Sequence, residues 1–320
     1  MDQPVGRISQ LRLYPIRPPW SLGSGWAAVC SGLAVGGLDL SPETLLKLLL
    51  AWLLVDPILG AVWDSGVGSN GGRPRRQRGI YRRLLDPRLP ATAPALQLLP
   101  YTRVGSPGHR LAHHLGRLRR WWQDTLWPEA GHAFATMVAG LGLALLLGAV
   151  LGRTILALVL ISVTLSWLAA LSQQKDLSKG APQRSISGQG MATLWHALGE
   201  FGIPWLIGAT LLGSPSRMLI LLGICYTITY FGLIRYTEDF KLIGSGQAAA
   251  ALLLAGLRHP LAAGAIAISL MPQWGLRLWA TDHDQQPPSQ YDHIAATGTY
   301  LRYVQPFVIL SMLLAVLALA

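Results

Sequence analysis

Apolar runs, most of them as long as a membrane-crossing helix, recur along the chain and are separated by short polar stretches. The period-two alternation that strands require is missing. Taken in order, the runs predict nine helices at about 26–37, 42–63, 132–151, 154–171, 191–212, 218–234, 247–257, 261–271 and 304–320. Ser41-Pro42-Glu43 reads as a helix start, with a capping hydroxyl followed by proline at the first helical position. The expected fold is all-α: a polytopic integral membrane bundle of about nine transmembrane helices over residues 25–320. A basic, proline-containing leader at 1–24 precedes it, anchored at the interface by Trp20 and Trp26.

Composition supports the membrane class. Hydrophobic residues make up 51% of the chain and charged ones 13%, against roughly 25% charged in a soluble protein. The net charge of +11 would suit a nucleic-acid partner only if it formed a patch or stripe, and its distribution argues against one. All but Lys47, Arg153, Arg217 and Arg258 of the 26 lysines and arginines fall in the leader or near the connections after the second, fourth, sixth and eighth runs. Such an asymmetry predicts that the N-terminus and those loops are cytoplasmic, with membrane lipid as the natural contact and no nucleic acid. Cys30 and Cys225 lie inside apolar runs and imply neither a disulfide nor a metal framework. The first apolar run lacks a small-residue cleavage exit, so no cleavable signal is expected. No phosphate-binding loop, nucleophile elbow or inverted repeat is evident, which sets transporters aside.

Residues 65–130 depart from this pattern. GSNGGRPRRQRGIYRRLLDPRLP is strongly basic, fitting contact with anionic lipid or, as a minority reading, a phosphate-attracting flap. It leads into an amphipathic helix at about 109–126, with Leu111, Leu115, Leu118, Trp122 and Leu126 on one face, expected to lie on the cytoplasmic interface. His109, His113 and His114 have no acidic or cysteine partner at ligand spacing and read as interfacial side chains.

Chemistry concentrates where the sixth run ends, in YTITYFGLIRYTEDFKLIGSG at 226–246. Acidic and basic side chains this close to a span sit in a polar cavity, at its mouth, or simply in a solvated loop. The stretch resembles the second aspartate motif of the UbiA superfamily of membrane prenyltransferases. Glu238-Asp239 match the acidic pair, Lys241 the following base and Ile243-Gly244 the I-G step, whereas Tyr236 and Phe240 stand where aspartates are expected. WHALGEFGIPWLIGATLLG resembles that group's glycine-punctuated fifth helix, and the arginine-proline pair at 17–18 its start. The family's first motif, N-D-x-x-D-x-x-x-D, is only partly matched. Starting it at Asp56 puts Leu59 and Trp63 at the later aspartate positions, and starting it at Asp64 puts Val67 and Gly71 there.

The resemblance implies transfer of an isoprenoid chain from a prenyl diphosphate to an apolar or aromatic acceptor. Asp56 or Asp64 would share magnesium (Mg2+) with Glu238 and Asp239, the last two being catalytic. Lys175, Lys241, Arg184 and Tyr236 would hold the diphosphate. A second class is a catalytically degenerate UbiA-like protein that binds lipid, quinone or pigment, or serves as a subunit or assembly factor of a membrane complex. His196 and Glu200, one helical turn apart inside the fifth run, read as a pair that is either structural or part of a site.

Overall fold

A computed structural model of the chain describes residues 22–37, 41–67, 80–85, 89–90, 106–178, 186–234, 240–283 and 290–319. Among them every regular element is helical. Four stretches are long and apolar enough to cross a membrane: Pro42–Gly66, Ala130–Leu151, Arg153–Ser172 and Arg217–Ile234. Ser24–Gly36, Leu242–Gly256 and Tyr303–Leu319 are shorter apolar helices. The outer surface exposes Leu146, Val150, Leu252 and Leu261. A continuous apolar exterior of this kind suits hydrocarbon and would be a liability in water.

The helices are α1 (Ser24–Gly36), α2 (Pro42–Leu53), α3 (Gly60–Val67), α4 (Ile80–Leu85), α5 (Pro107–Trp121), α6 (Trp127–Leu151), α7 (Arg153–Ser178), α8 (Ile186–Ala197), α9 (Ile203–Leu212), α10 (Arg217–Ile234), α11 (Phe240–Gly256), α12 (Pro260–His283) and α13 (Gln290–Leu319). Three pairs are continuous through wider π-helical turns: Leu54–Leu59 joins α2 to α3, Trp122–Leu126 joins α5 to α6, and Leu198–Gly202 joins α8 to α9. Proline accounts for all three. Pro57 lies inside the first turn, and Pro128 and Pro204 lie just past the second and third. A proline removes the N–H that would pair with the carbonyl four residues earlier, and a locally widened turn re-pairs it. In the second and third turns the bonds span five residues, from Trp127 N–H to the Trp122 carbonyl and from Ile203 N–H to the Leu198 carbonyl.

Each expected apolar run is helical, with shifted ends. The seventh and eighth runs are parts of the longer α11 and α12, because the helix continues through polar residues such as Lys241 and Arg277 that a hydropathy reading excludes. The amphipathic segment is α5, capped by Ser106 Oγ accepting from His109 N–H at 3.2 Å, and it runs unbroken into α6.

Consecutive packed helices joined by only a few residues must be antiparallel hairpins. The helix ends at Gly36 and Pro42, Leu151 and Arg153, Leu212 and Arg217, and Gly256 and Pro260 therefore lie at one end of the bundle. The ends at Val67, Ser178, Ile186, Ile234, Phe240, His283 and Gln290 gather at the other. The bundle has two lobes. Helices α2, α3, α6 and α7 form one, α10 to α13 the other, and α1 with α8 and α9 runs between them. Helices α1 and α9 touch backbone to backbone, because a Cβ on Gly208 would collide with the Ala28 carbonyl. Close approach of this kind is how helices associate where no hydrophobic force drives them together.

Candidate functional site

The expected carboxylates of the second run sit on one rod but apart. Asp56 lies in the π-helical turn, where Ser24 Oγ of α1 donates to its Oδ1 at 3.2 Å. Asp64 follows in α3, eight residues or roughly 12 Å further along the axis. One magnesium ion, with oxygens at about 2.1 Å, cannot be held by both. Between them, Leu59 and Trp63 occupy the positions where the resemblance expects aspartates. Both side chains are buried and apolar.

Of the remaining expected residues, Lys175 and Lys241 belong to helix ends on the side of the bundle opposite the short connections. Lys175 is in the last turns of α7 and Lys241 in the first turn of α11. Arg184, Tyr236, Glu238 and Asp239 lie outside the described residues. A Cβ on Gly244 would meet only the Trp274 ring, at an ordinary contact distance of 3.8 Å, whereas Gly246, two residues on, abuts Thr229 and the Cys225 carbonyl of α10. The glycines of this stretch thus serve, at least at Gly246, to bring α10 and α11 together.

A polar cluster that no motif announced lies deeper, where α8 and α9 join. Glu200 is 5% exposed. Its Oε2 is 3.1 Å from His196 Nε2 and accepts from the Tyr230 hydroxyl of α10 at 2.7 Å. The Trp63 ring meets His196 edge-on, centroids 5.2 Å apart. Its Nε1 donates to Ser162 Oγ of α7 at 3.1 Å, and Ser162 in turn reaches the Gly199 carbonyl at 3.5 Å. One turn along α7, Ser166 Oγ donates to the Tyr81 hydroxyl of α4 at 3.3 Å. The indole can lie there only because residue 199 is glycine, since a Cβ would overlap the Trp63 ring.

On the other side of Glu200 the polar groups give way to aromatic rings. Tyr230 stacks on Phe201 at 5.2 Å, Phe201 on Trp205 at 6.3 Å, and Trp205 on Tyr226 at 6.2 Å. Tyr226 ends the series by donating to Ser311 Oγ of α13 at 3.3 Å. These contacts tie the α8–α9 rod to the lobe of α10 to α13, and the Trp63–His196 contact ties the same rod to the other lobe.

Burying a carboxylate in an apolar bundle costs several kcal/mol unless donors surround it, and His196 and Tyr230 provide them. Among the described residues no buried side-chain nitrogen or oxygen lacks a hydrogen-bond partner. Nor do three or more His, Cys, Asp or Glu gather there as a metal group would need. Two of the expected magnesium ligands, Glu238 and Asp239, lie outside the described residues. The Glu200 cluster can share a proton between imidazole and carboxylate, and it ties four helices together.

Sequence reading paired His196 with Glu200 correctly and missed Tyr230, Trp63 and Ser162, whose approach depends on helix packing. One local signal was available. Asp124 and Glu200 each stand four residues before the proline that follows a widened turn. Comparison of the chain with known protein families, characterised proteins and solved structures finds no match in any of the three.

Proposed function

We propose that this chain is a nine-span, UbiA-like membrane protein that has lost prenyl transfer and binds an apolar membrane molecule such as a lipid, quinone or pigment, or serves within a membrane complex. The observation that carries the reading is Trp63. It fills, with a buried ring wedged against Gly199, a position where the resembled motif requires a metal-binding carboxylate. Ionising an allylic diphosphate needs metal-held oxygens at the leaving group. Asp56 and Asp64 are too far apart to share one ion, so the first motif could contribute only one of them. The positive-inside asymmetry supports a cytoplasmic N-terminus and a cytoplasmic 65–130 insert.

The second reading is an active prenyltransferase, favoured by the Glu238-Asp239 pair beyond α10 together with Lys241. A single assay separates the two. Purified protein is titrated with a prenyl diphosphate with and without magnesium, and the molecules that copurify are extracted and identified. The first reading expects no magnesium-dependent binding and a retained apolar molecule or a stable partner protein. Magnesium-dependent binding that Asp239→Ala abolishes would overturn it in favour of the second.

A further inference from the structure

Helix α5 turns Ala112 and Gly116 inward and Leu111 and Leu118 outward. Ala112 and Gly116 are buried, while Leu111 is 61% and Leu118 38% exposed. This is the reverse of a helix whose apolar stripe packs on its own protein. On a helical projection at 100° per residue, Leu111 and Leu118 form one outward stripe, with His114 and then Arg110 on one flank and, beyond the half-buried Leu115, Arg119 on the other at the edge of the body-facing side. Arg110, His114 and Arg119 are exposed. The helix contains four arginines and no acidic residue.

Two of those arginines have partners. Arg117 Nε donates to the Pro90 carbonyl at 2.8 Å, and Arg120 lies 3.8 Å from Asp124. Helix α5 runs unbroken into the membrane-crossing α6, at whose start Trp127 is 54% exposed. Helix α5 is also fixed to the body of the protein. Trp121 packs in one core with Ile80 and Tyr81 of α4, whose ring lies where Gly66 leaves room.

We propose that the outward face of α5 is a binding surface for anionic phospholipid headgroups. Leu111 and Leu118 enter the upper acyl region, and Arg110 and Arg119 bracket the phosphates. The occupant follows from charge complementarity and from continuity with a membrane-crossing helix. A leucine stripe flanked by arginines suits the boundary between hydrocarbon and headgroups, where the stem lies in the apolar layer and the guanidinium reaches the phosphate. An acidic protein segment would match the arginines but leave the leucine stripe without a hydrocarbon layer. The inference is independent of whether the protein transfers, binds or assembles.

The test uses the full-length protein in a neutral detergent, with bound lipids counted by native mass spectrometry as phosphatidylglycerol or phosphatidylcholine is added. Phosphatidylglycerol is expected to bind more tightly, and 0.5 M NaCl to remove most of that preference. Arg110→Gln/Arg119→Gln changes two exposed side chains remote from the Glu200 cluster. It should weaken phosphatidylglycerol binding roughly 25-fold, about fivefold per arginine, and leave phosphatidylcholine unchanged. Arg110→Lys/Arg119→Lys should keep the preference, which excludes misfolding as the cause. Leu111→Ser/Leu118→Ser should weaken both lipids. Equal binding of the two lipids by the unaltered protein, or a preference that survives Arg110→Gln/Arg119→Gln, would overturn the proposal. So would a change of oligomeric mass in that variant without a change in lipid binding, which would point to a second copy on this face.

Discussion

The lobe of α10 to α13 and the seam between the lobes bury polar side chains in different ways. In the lobe of α10 to α13, Gln247 and Gln273 face each other from helices joined by a three-residue connection. Gln247 Nε2 donates to Gln273 Oε1 at 3.0 Å, and Gln273 Nε2 returns the bond to Gln247 Oε1 at 2.9 Å. Each amide also donates to the carbonyl one turn back, those of Ile243 and Ser269. Two neutral groups of the same kind thus complete each other within one hairpin. Glu200 has no such twin. Its acceptors need His196 from its own rod and Tyr230 from α10, while Trp63 from α3 and Ser162 from α7 line the next layer.

The difference is one of charge. An amide pair is locally closed, whereas a carboxylate demands donors from several directions and so recruits several helices. The first arrangement holds a hairpin, and the second joins the lobes.

The largest expected effect separates a charged partner from a neutral one. His196→Ala leaves the Glu200 carboxylate in the core with Tyr230 alone and should cost about 3 kcal/mol, because breaking a buried pair strands the other member. His196→Leu/Glu200→Leu removes both charges and should recover to within about 1 kcal/mol of the parent. Unfolding free energies from detergent titrations check both. If the double variant is as unstable as the single one, packing and not charge holds the seam.

A smaller effect belongs to the amide pair. Gln273→Leu should cost about 1–2 kcal/mol by leaving the Gln247 amide half-satisfied, a modest figure because interhelical hydrogen bonds in membranes are individually weak. Gln247→Leu/Gln273→Leu should regain most of it in the same titration. A loss as large as that of His196→Ala would mean that the amides also serve the interface between lobes.

Smallest of all, Tyr81→Phe removes the acceptor of the Ser166 bond at the edge of the network and should cost less than about 1 kcal/mol. The ring still fills the space beside Gly66. Proteolysis in the 65–130 insert should then change little. Rapid cleavage would show that the hydroxyl, and not the ring, docks α4.

Much of this architecture was legible in the amino-acid order because a bilayer permits few solutions. Apolar runs of helix length and the Ser41-Pro42 start are local properties, and each appears in the structure at or near its expected place. Charge asymmetry along the chain is likewise a property of order alone. The pairing of His196 with Glu200 follows from helical spacing and needed no tertiary contact.

Packing decided what spacing could not. Trp63 reads as one more apolar residue until Gly199 of another helix makes room for its ring. Tyr230 belongs to an aromatic-rich run until its hydroxyl meets a carboxylate thirty residues distant. Leu111 and Leu118 read as the membrane-facing stripe of an amphipathic helix, and only packing shows that Ala112 and Gly116 are the residues that face the body. Helical periodicity gives the separation of faces on a rod and not which face a neighbour will take. That choice depends on steric fit between surfaces distant in sequence, and at Glu200 on the need to surround one buried charge with donors.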